Sequence, residues 1–272
     1  MPGLPRWITP TGTWRALRDQ LGSVRGVYLA GDRVKRRGDM GEHEELVLLI
    51  HGFFQTRNVW EVMEDRLRFD GYGVMSFNLG GMFYRFNTQP IERSAAMIAE
   101  KIEGLSRRYG FERFHVVGHS KGGLIARRYV QAYGGDRRVK SVVTLGTPHH
   151  GTPTAAVAMA VTGFGLLSSS AREMLPRSEL VRQVGRDSFP PHIPLVSIYS
   201  RDDIVVPARC CVLRPRPDER ARLRNIEVRG IGHSQLVWDP GVYRLVRDSL
   251  DDAAAAWRER LVATPASAVG PR

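Results

Sequence analysis

The chain has 272 residues, enough for one sizeable core and too few for two large ones. Its 42% hydrophobic and 25% charged content is that of an ordinary globular protein, and no apolar run reaches the roughly 18 residues of a membrane span. The 40 Lys and Arg against 28 Asp and Glu give a formal net charge of +12, a field that favours anionic partners such as an acidic membrane surface. These basic residues are mostly Arg and dispersed. They read as a solvated surface with peripheral contact to anionic lipid as the alternative, and no nucleic-acid partner is predicted.

Residues 1–45 are rich in Gly, Pro and Arg, with one helix expected near Trp14–Leu21 and a short strand at Val27–Ala30. The first seven residues lack the apolar stretch of a secretory leader, so the expected location is cytoplasmic. Leu46-Val47-Leu48-Leu49-Ile50 is a continuous apolar run followed by turn residues, the pattern of a strand buried on both faces. Comparable runs follow at Val74–Phe77, Phe114–Val117, Val142–Leu145, Leu195–Tyr199 and Ile226–Val228. Helical spacing separates them at Val59–Phe69, Ile91–Tyr109, Gly122–Tyr133 and Asp239–Leu261, two of these stopping at Gly110 and Gly134. Strands alternating with helices predict an α/β domain, with a mostly parallel central sheet covered on both faces.

One stretch breaks the alternation. Residues 152–190 form an insertion whose first half, Ala155–Leu167, is small and apolar, and whose second half, Ala171–Val184, carries an amphipathic helix pattern. The first half reads equally well as a lid or as a buried helix. Residues 1–262, this insertion included, are expected to form one domain, followed by a disordered tail over 263–272.

The strongest chemical signal lies after the third strand, at Gly118-His119-Ser120-Lys121-Gly122. A bare G-x-S-x-G occurs in many proteins. Here a strand precedes it and an amphipathic helix follows, which is the context a nucleophilic serine on a sharp turn requires. Its flanking glycines allow close backbone approach, and the helix beneath Ser120 directs a positive dipole at a developing oxyanion. Such a serine needs a base and an acid to orient it. The strand Leu195–Tyr199 runs into Ser200-Arg201-Asp202-Asp203-Ile204-Val205-Val206-Pro207, where spacing to the proline favours Asp203 and leaves Asp202 as the alternative. The loop Gly230-Ile231-Gly232-His233, after the last strand, offers His233 as the base. An oxyanion hole needs two backbone N–H groups. Lys121, just after the serine, supplies one, and Phe53 in the loop His51-Gly52-Phe53 supplies the other. His51 is read as organising that loop by hydrogen bonding.

Together with Leu145-Gly146-Thr147-Pro148-His149-His150-Gly151-Thr152, these motifs resemble the bacterial lipase and esterase branch of the α/β-hydrolases over roughly residues 45–250. The resemblance implies the α/β-hydrolase fold, a triad of Ser120, Asp203 and His233, oxyanion donors at Phe53 and Lys121, and a cap over an acyl pocket at 152–190. The implied substrate is a carboxylic ester with an apolar acyl chain. Acyltransferases and thioesterases share the fold and triad and stay open as alternatives, as does a non-catalytic basic module. Many of these lipases carry Met or Gln where this chain has Lys121, and its ammonium is expected to bias the site toward anionic head groups. His149 and His150 are adjacent and without nearby carboxylates, so they are read as shaping a loop; no metal and no cofactor are predicted. Cys210 and Cys211 fit neither a disulfide framework nor a zinc site.

Overall fold

The computed structural model describes residues 38–81, 86–155 and 169–263. The helix expected near Trp14–Leu21, the strand at Val27–Ala30, the apolar stretch at 156–168 and the tail beyond Ala263 lie outside the described residues. Six strands form one sheet: β1 (Leu46–Ile50), β2 (Gly73–Ser76), β3 (Phe114–His119), β4 (Val139–Leu145), β5 (Leu195–Ser200) and β6 (Leu223–Val228). Their order is β2-β1-β3-β4-β5-β6, and every neighbouring pair is parallel. The helices are α1 (Glu61–Phe69), α2 (Ile91–Tyr109), α3 (Lys121–Ala132), α4 (Ser169–Glu173), α5 (Glu179–Arg186), α6 (Ala208–Cys211) and α7 (Pro240–Ala263).

All five residues of β1 are buried, and alternation sends them to two separate cores. Leu46, Leu48 and Ile50 join Ile98 and Ile102 of α2 and Leu124 and Ile125 of α3 on one face. Val47 and Leu49 join Met63 and Leu67 of α1 and Val242, Val246 and Leu250 of α7 on the other. A strand packed on both sides must be apolar throughout, hence the unbroken run in the sequence. The edge strand β6 is different, with three exposed and three half-buried positions and none buried, so only its end at Ile226–Val228 is legible as a strand.

Helix α2 ends where glycine allows it, with Gly110 in the left-handed region at φ 73° and its N–H donating to Ser106 O. The amphipathic pattern at Ala171–Val184 is two short helices rather than one. Pro176 and Arg177, the latter at φ 64°, interrupt it, and the Ser178 hydroxyl caps α5 by accepting from the Val181 N–H. The second of these is anchored to α3: Arg127 donates to Val184 O at 2.8 Å and Arg128 to the Asp187 carboxylate at 2.6 Å. Among the described residues no helix is long and apolar enough to cross a membrane.

After β1 the chain moves to β2 on one side, and after β3 it moves to β4 on the other. The β1–β3 boundary is therefore the switch point of the sheet, and the crevice at the carboxyl ends of those strands is where such sheets bind ligands. The motif loops His51-Gly52-Phe53 and Gly118-His119-Ser120 both open there.

Candidate active site

Ser120 sits between β3 and α3 with φ 53° and ψ −122°, a backbone conformation sparsely populated by any L residue. The surroundings hold it there. Its N–H donates to Leu145 O of β4 at 2.8 Å, and its carbonyl accepts from the Thr147 hydroxyl at 2.9 Å. The neighbouring glycines are sterically required. A methyl group on Gly122 would stand 2.0 Å from Ile50 O, and one on Gly123 2.0 Å from the Thr147 hydroxyl oxygen. Gly122→Ala should therefore destabilise the fold by about 3 kcal/mol or more, because its obstacle is backbone that cannot rotate away. By contrast Gly104, in mid-α2, has open space within 4 Å of where a methyl would stand, and should gain about 0.5–1 kcal/mol on mutation to alanine. Chemical denaturation of the two variants checks both signs.

The loop after β5 resolves the two aspartates by geometry. Asp203 Oδ2 accepts from His233 Nδ1 at 2.6 Å, while its Oδ1 accepts from the Val205 and Val206 N–H groups at 2.8 Å each. Asp202 instead accepts from the Gly230 N–H at 2.6 Å on the exposed side of the loop. His233 is 8% exposed; its ring lies 4.6 Å from that of His119, centre to centre, and faces Gly146 at the end of β4. Ser120 and His233 thus meet at the same strand end, and no Ser120–His233 hydrogen bond is formed among the described residues.

The β1 loop presses on the elbow from the other side. A methyl on Gly52 would come within 3.0 Å of the Ser120 Cβ, and the Gly52 N–H donates to Gln55 Oε1 at 2.8 Å. Phe53 follows in this loop, half-buried, and Phe54 takes φ 55°. His51 is fully buried and organises the loop, its Nδ1–H facing the Gly52 carbonyl at 3.3 Å while its own carbonyl accepts from Asn87 Nδ2 at 2.9 Å. Burial drives the His51 imidazole down to a pKa of about 4. His119 Nδ1 lies 3.1 Å from Gln55 Oε1 and its Nε2 3.1 Å from His233 O, and burial again holds the ring well below the ordinary histidine range.

His149 and His150 are spent on structure. Arg127 Nη1 donates to His149 Nδ1 at 3.3 Å, leaving Nε2–H to donate to the Thr144 hydroxyl at 3.1 Å, and His150 Nε2–H donates to Val212 O at 2.9 Å. Both cysteines are buried in or beside α6 as free thiols.

The Lys121 side chain corrects an expectation. Rather than extending toward a head group, it is fully buried. Its ammonium donates to Asn87 O at 3.1 Å, Asn87 Oδ1 at 2.7 Å and Gln89 O at 2.6 Å, with the Phe53 ring 5.9 Å away. With all three donors engaged on protein, it has none left for a substrate anion. Sequence reasoning assigned no role to Asn87, Gln55 or Thr147, polar residues whose partners His51, His119 and Ser120 lie tens of residues away. The open cavity between Met40, Tyr109 and Trp257 lies at the amino ends of β1 and β3, away from these loops.

Residues 45–168 match a family model described as the alpha/beta hydrolase fold. Triacylglycerol lipases of Pseudarthrobacter phenanthrenivorans and Burkholderia plantarii are each 32% identical over 115 residues, 40% of this chain and 34% and 31% of theirs. The matched part thus spans about a third of those relatives. Among solved structures, the mature lipase BlEst2 of Bacillus licheniformis superposes with a TM-score of 0.63 at 15% identity, covering 81% of this chain and 96% of that one. A monoacylglycerol lipase of Paleococcus ferrophilus gives 0.56 at 17% identity, covering 76% and 94%. The fold is the α/β-hydrolase fold, and the matched segment 45–168 carries the sequence pattern of that fold.

Proposed function

We propose that this protein is a serine hydrolase that cleaves carboxylic esters with an apolar acyl chain. The observation that carries the reading is the strained Ser120 at the sheet's switch point, with the Asp203–His233 pair, joined at 2.6 Å, at the carboxyl ends of the same strands. In this reading His233 Nε2 takes the Ser120 hydroxyl proton as Oγ attacks the ester carbonyl. The Phe53 and Lys121 N–H groups donate to the tetrahedral oxyanion, the latter from the positive end of α3. Collapse expels the alcohol, which leaves with the proton held by His233. Water then gives its proton to His233 and attacks the acyl-enzyme, releasing the acid and restoring Ser120. Asp203 keeps the imidazole in the Nδ1–H tautomer throughout, and two backbone N–H groups fix its other oxygen.

The substrate assignment draws on the lipase relatives and on the net charge of +12, which suits a product and an interface that are anionic. The insertion at 152–190 is proposed as the cap over the acyl pocket of a single hydrolase domain. The test is hydrolysis of p-nitrophenyl esters from C2 to C16, with and without vesicles containing phosphatidylglycerol, alongside labelling by a fluorophosphonate probe. Labelling at Ser120 and a long-chain preference that rises on vesicles are expected. Absence of labelling would reject a serine hydrolase, and a preference for C2 unaffected by vesicles would reject the lipid-ester substrate.

A further inference from the structure

The hydrogen bonds of Lys121 form one connected path across the site. Asn87, fully buried, uses all of its polar groups on three neighbours. Its backbone N–H donates to Gln55 O at 3.3 Å, and its side-chain Nδ2 to His51 O at 2.9 Å, so one residue grips both ends of the loop 51–55. Its remaining acceptors, backbone O and Oδ1, both face the Lys121 ammonium. The third ammonium bond, to Gln89 O, fixes the chain two residues further on, where Gln89 Nε2 in turn donates to Leu79 O. Nothing in this path is exposed polar decoration. It joins the residue after Ser120 to the loop that carries Phe53.

We infer that the Lys121 side chain is a positioning residue that sets the second oxyanion donor, acting through Asn87 on the His51–Gln55 loop. This rests on the serine-hydrolase reading above. The same residue then serves both halves of the oxyanion hole: its backbone N–H from the start of α3, and its ammonium by holding the partner loop at a fixed distance from the elbow. A buried ammonium suits this role for two reasons. It offers three donors from one point, which can hold two carbonyls and an amide oxygen together. It is also costly to bury without those partners, so the segment 87–89 and the lysine order each other. Burial pushes the lysine of this strap down to a pKa of about 7, and the opposite charge of Glu173 in α4 acts against that shift. A neutral, flexible Met at the same place would fill the volume and leave the loop held by Asn87 alone.

The experiment separates positioning from structure by kinetics per active site, titrated with the fluorophosphonate probe, on full-length protein well below its unfolding midpoint. Lys121→Met should lower kcat about 10- to 100-fold with KM changed by less than about threefold, because misplacing a donor removes stabilisation made only in the transition state. Asn87→Asp keeps an oxygen on the ammonium but loses the donor to His51 O, and should lower kcat over a similar range. In the double variant the losses should be far from multiplicative, since each change breaks the same path. Multiplicative losses, or a wild-type kcat per labelled site in either single variant that folds, would overturn the inference; Asn87→Asp decides it alone if Lys121→Met does not fold. Ser120→Ala run in parallel keeps the two readings apart. Full activity in that variant rejects the serine-hydrolase reading itself, whereas an inactive Ser120→Ala beside an unimpaired Lys121→Met rejects only the strap.

Discussion

Ser120→Ala should abolish ester hydrolysis, with kcat falling by at least about 10⁴-fold while the unfolding midpoint stays within a few degrees of wild type. The hydroxyl is small and almost buried, and the conformation at residue 120 is held by backbone contacts to Leu145 and Thr147 that alanine retains. His233→Ala should fall into the same range, because nucleophile and base act as a unit. The aspartates give the sharper contrast. Asp203→Asn places an amide where the His233 Nδ1–H donates and offers an N–H in its place, favouring the wrong tautomer; a loss of about 10⁴-fold is expected. Asp202→Asn removes a charge on an exposed loop but keeps an amide oxygen able to accept from the Gly230 N–H, and should stay within a few-fold of wild type. Steady-state kinetics on the four variants decide the matter. Equal losses at 202 and 203 would show that the loop, not the Asp203–His233 pair, is what activity needs.

Acid should unfold this protein earlier than its carboxylates alone would dictate, because several histidines are buried in the neutral form. His51 takes a proton only near pH 4 in the folded state, and burial likewise holds His119 and His149 well below the ordinary value. The geometry at His149 explains why. Its Nδ1 lone pair receives a guanidinium N–H from Arg127, so a second proton there would face a cation at 3.3 Å. In the unfolded chain each of these rings binds a proton near pH 6.5. The unfolded state therefore carries more protons between that value and about pH 4, and stability rises with pH across the window. It is fully present above pH 6.5 and is lost progressively as the pH falls toward 4. For His51 alone the shift corresponds to about 3 kcal/mol, a large part of the roughly 5–15 kcal/mol that holds a domain folded. Urea denaturation from pH 8 to pH 4 should show this slope. His149→Gln, whose amide offers both an acceptor and a donor but does not titrate, should flatten it; a midpoint constant down to pH 4.5 would refute the account.

Much of the fold can be read locally, and particular elements show why. The run Leu46–Ile50 is legible to the residue because a strand covered on both faces has no polar position to blur its ends. Helix α2 is legible to the residue because Pro90 and Gly110 bracket it, each for a backbone reason. The amphipathic stretch at Ala171–Val184 misleads because its apolar spacing survives the break at Pro176, and spacing alone does not reveal a change of direction. Strand β6 is shortened in the reading because an exposed edge needs few apolar residues.

The candidate site divides in the same way. Ser120 between its glycines is a steric statement, and such statements are local. The sequence by itself determined that a serine would sit on a tight strand-to-helix turn, followed by an acidic loop and a histidine loop in order. Only the tertiary structure decided which aspartate meets His233, since Asp202 and Asp203 are adjacent in sequence and part ways through contacts to different loops. It also decided the fate of Lys121. Composition marks lysine as a surface charge, and the chain gives no local sign that Asn87 and Gln89, more than thirty residues earlier, converge on its ammonium. Charge is a property of a residue, but burial and partners are properties of the packed sheet, so the elbow was legible and its strap was not.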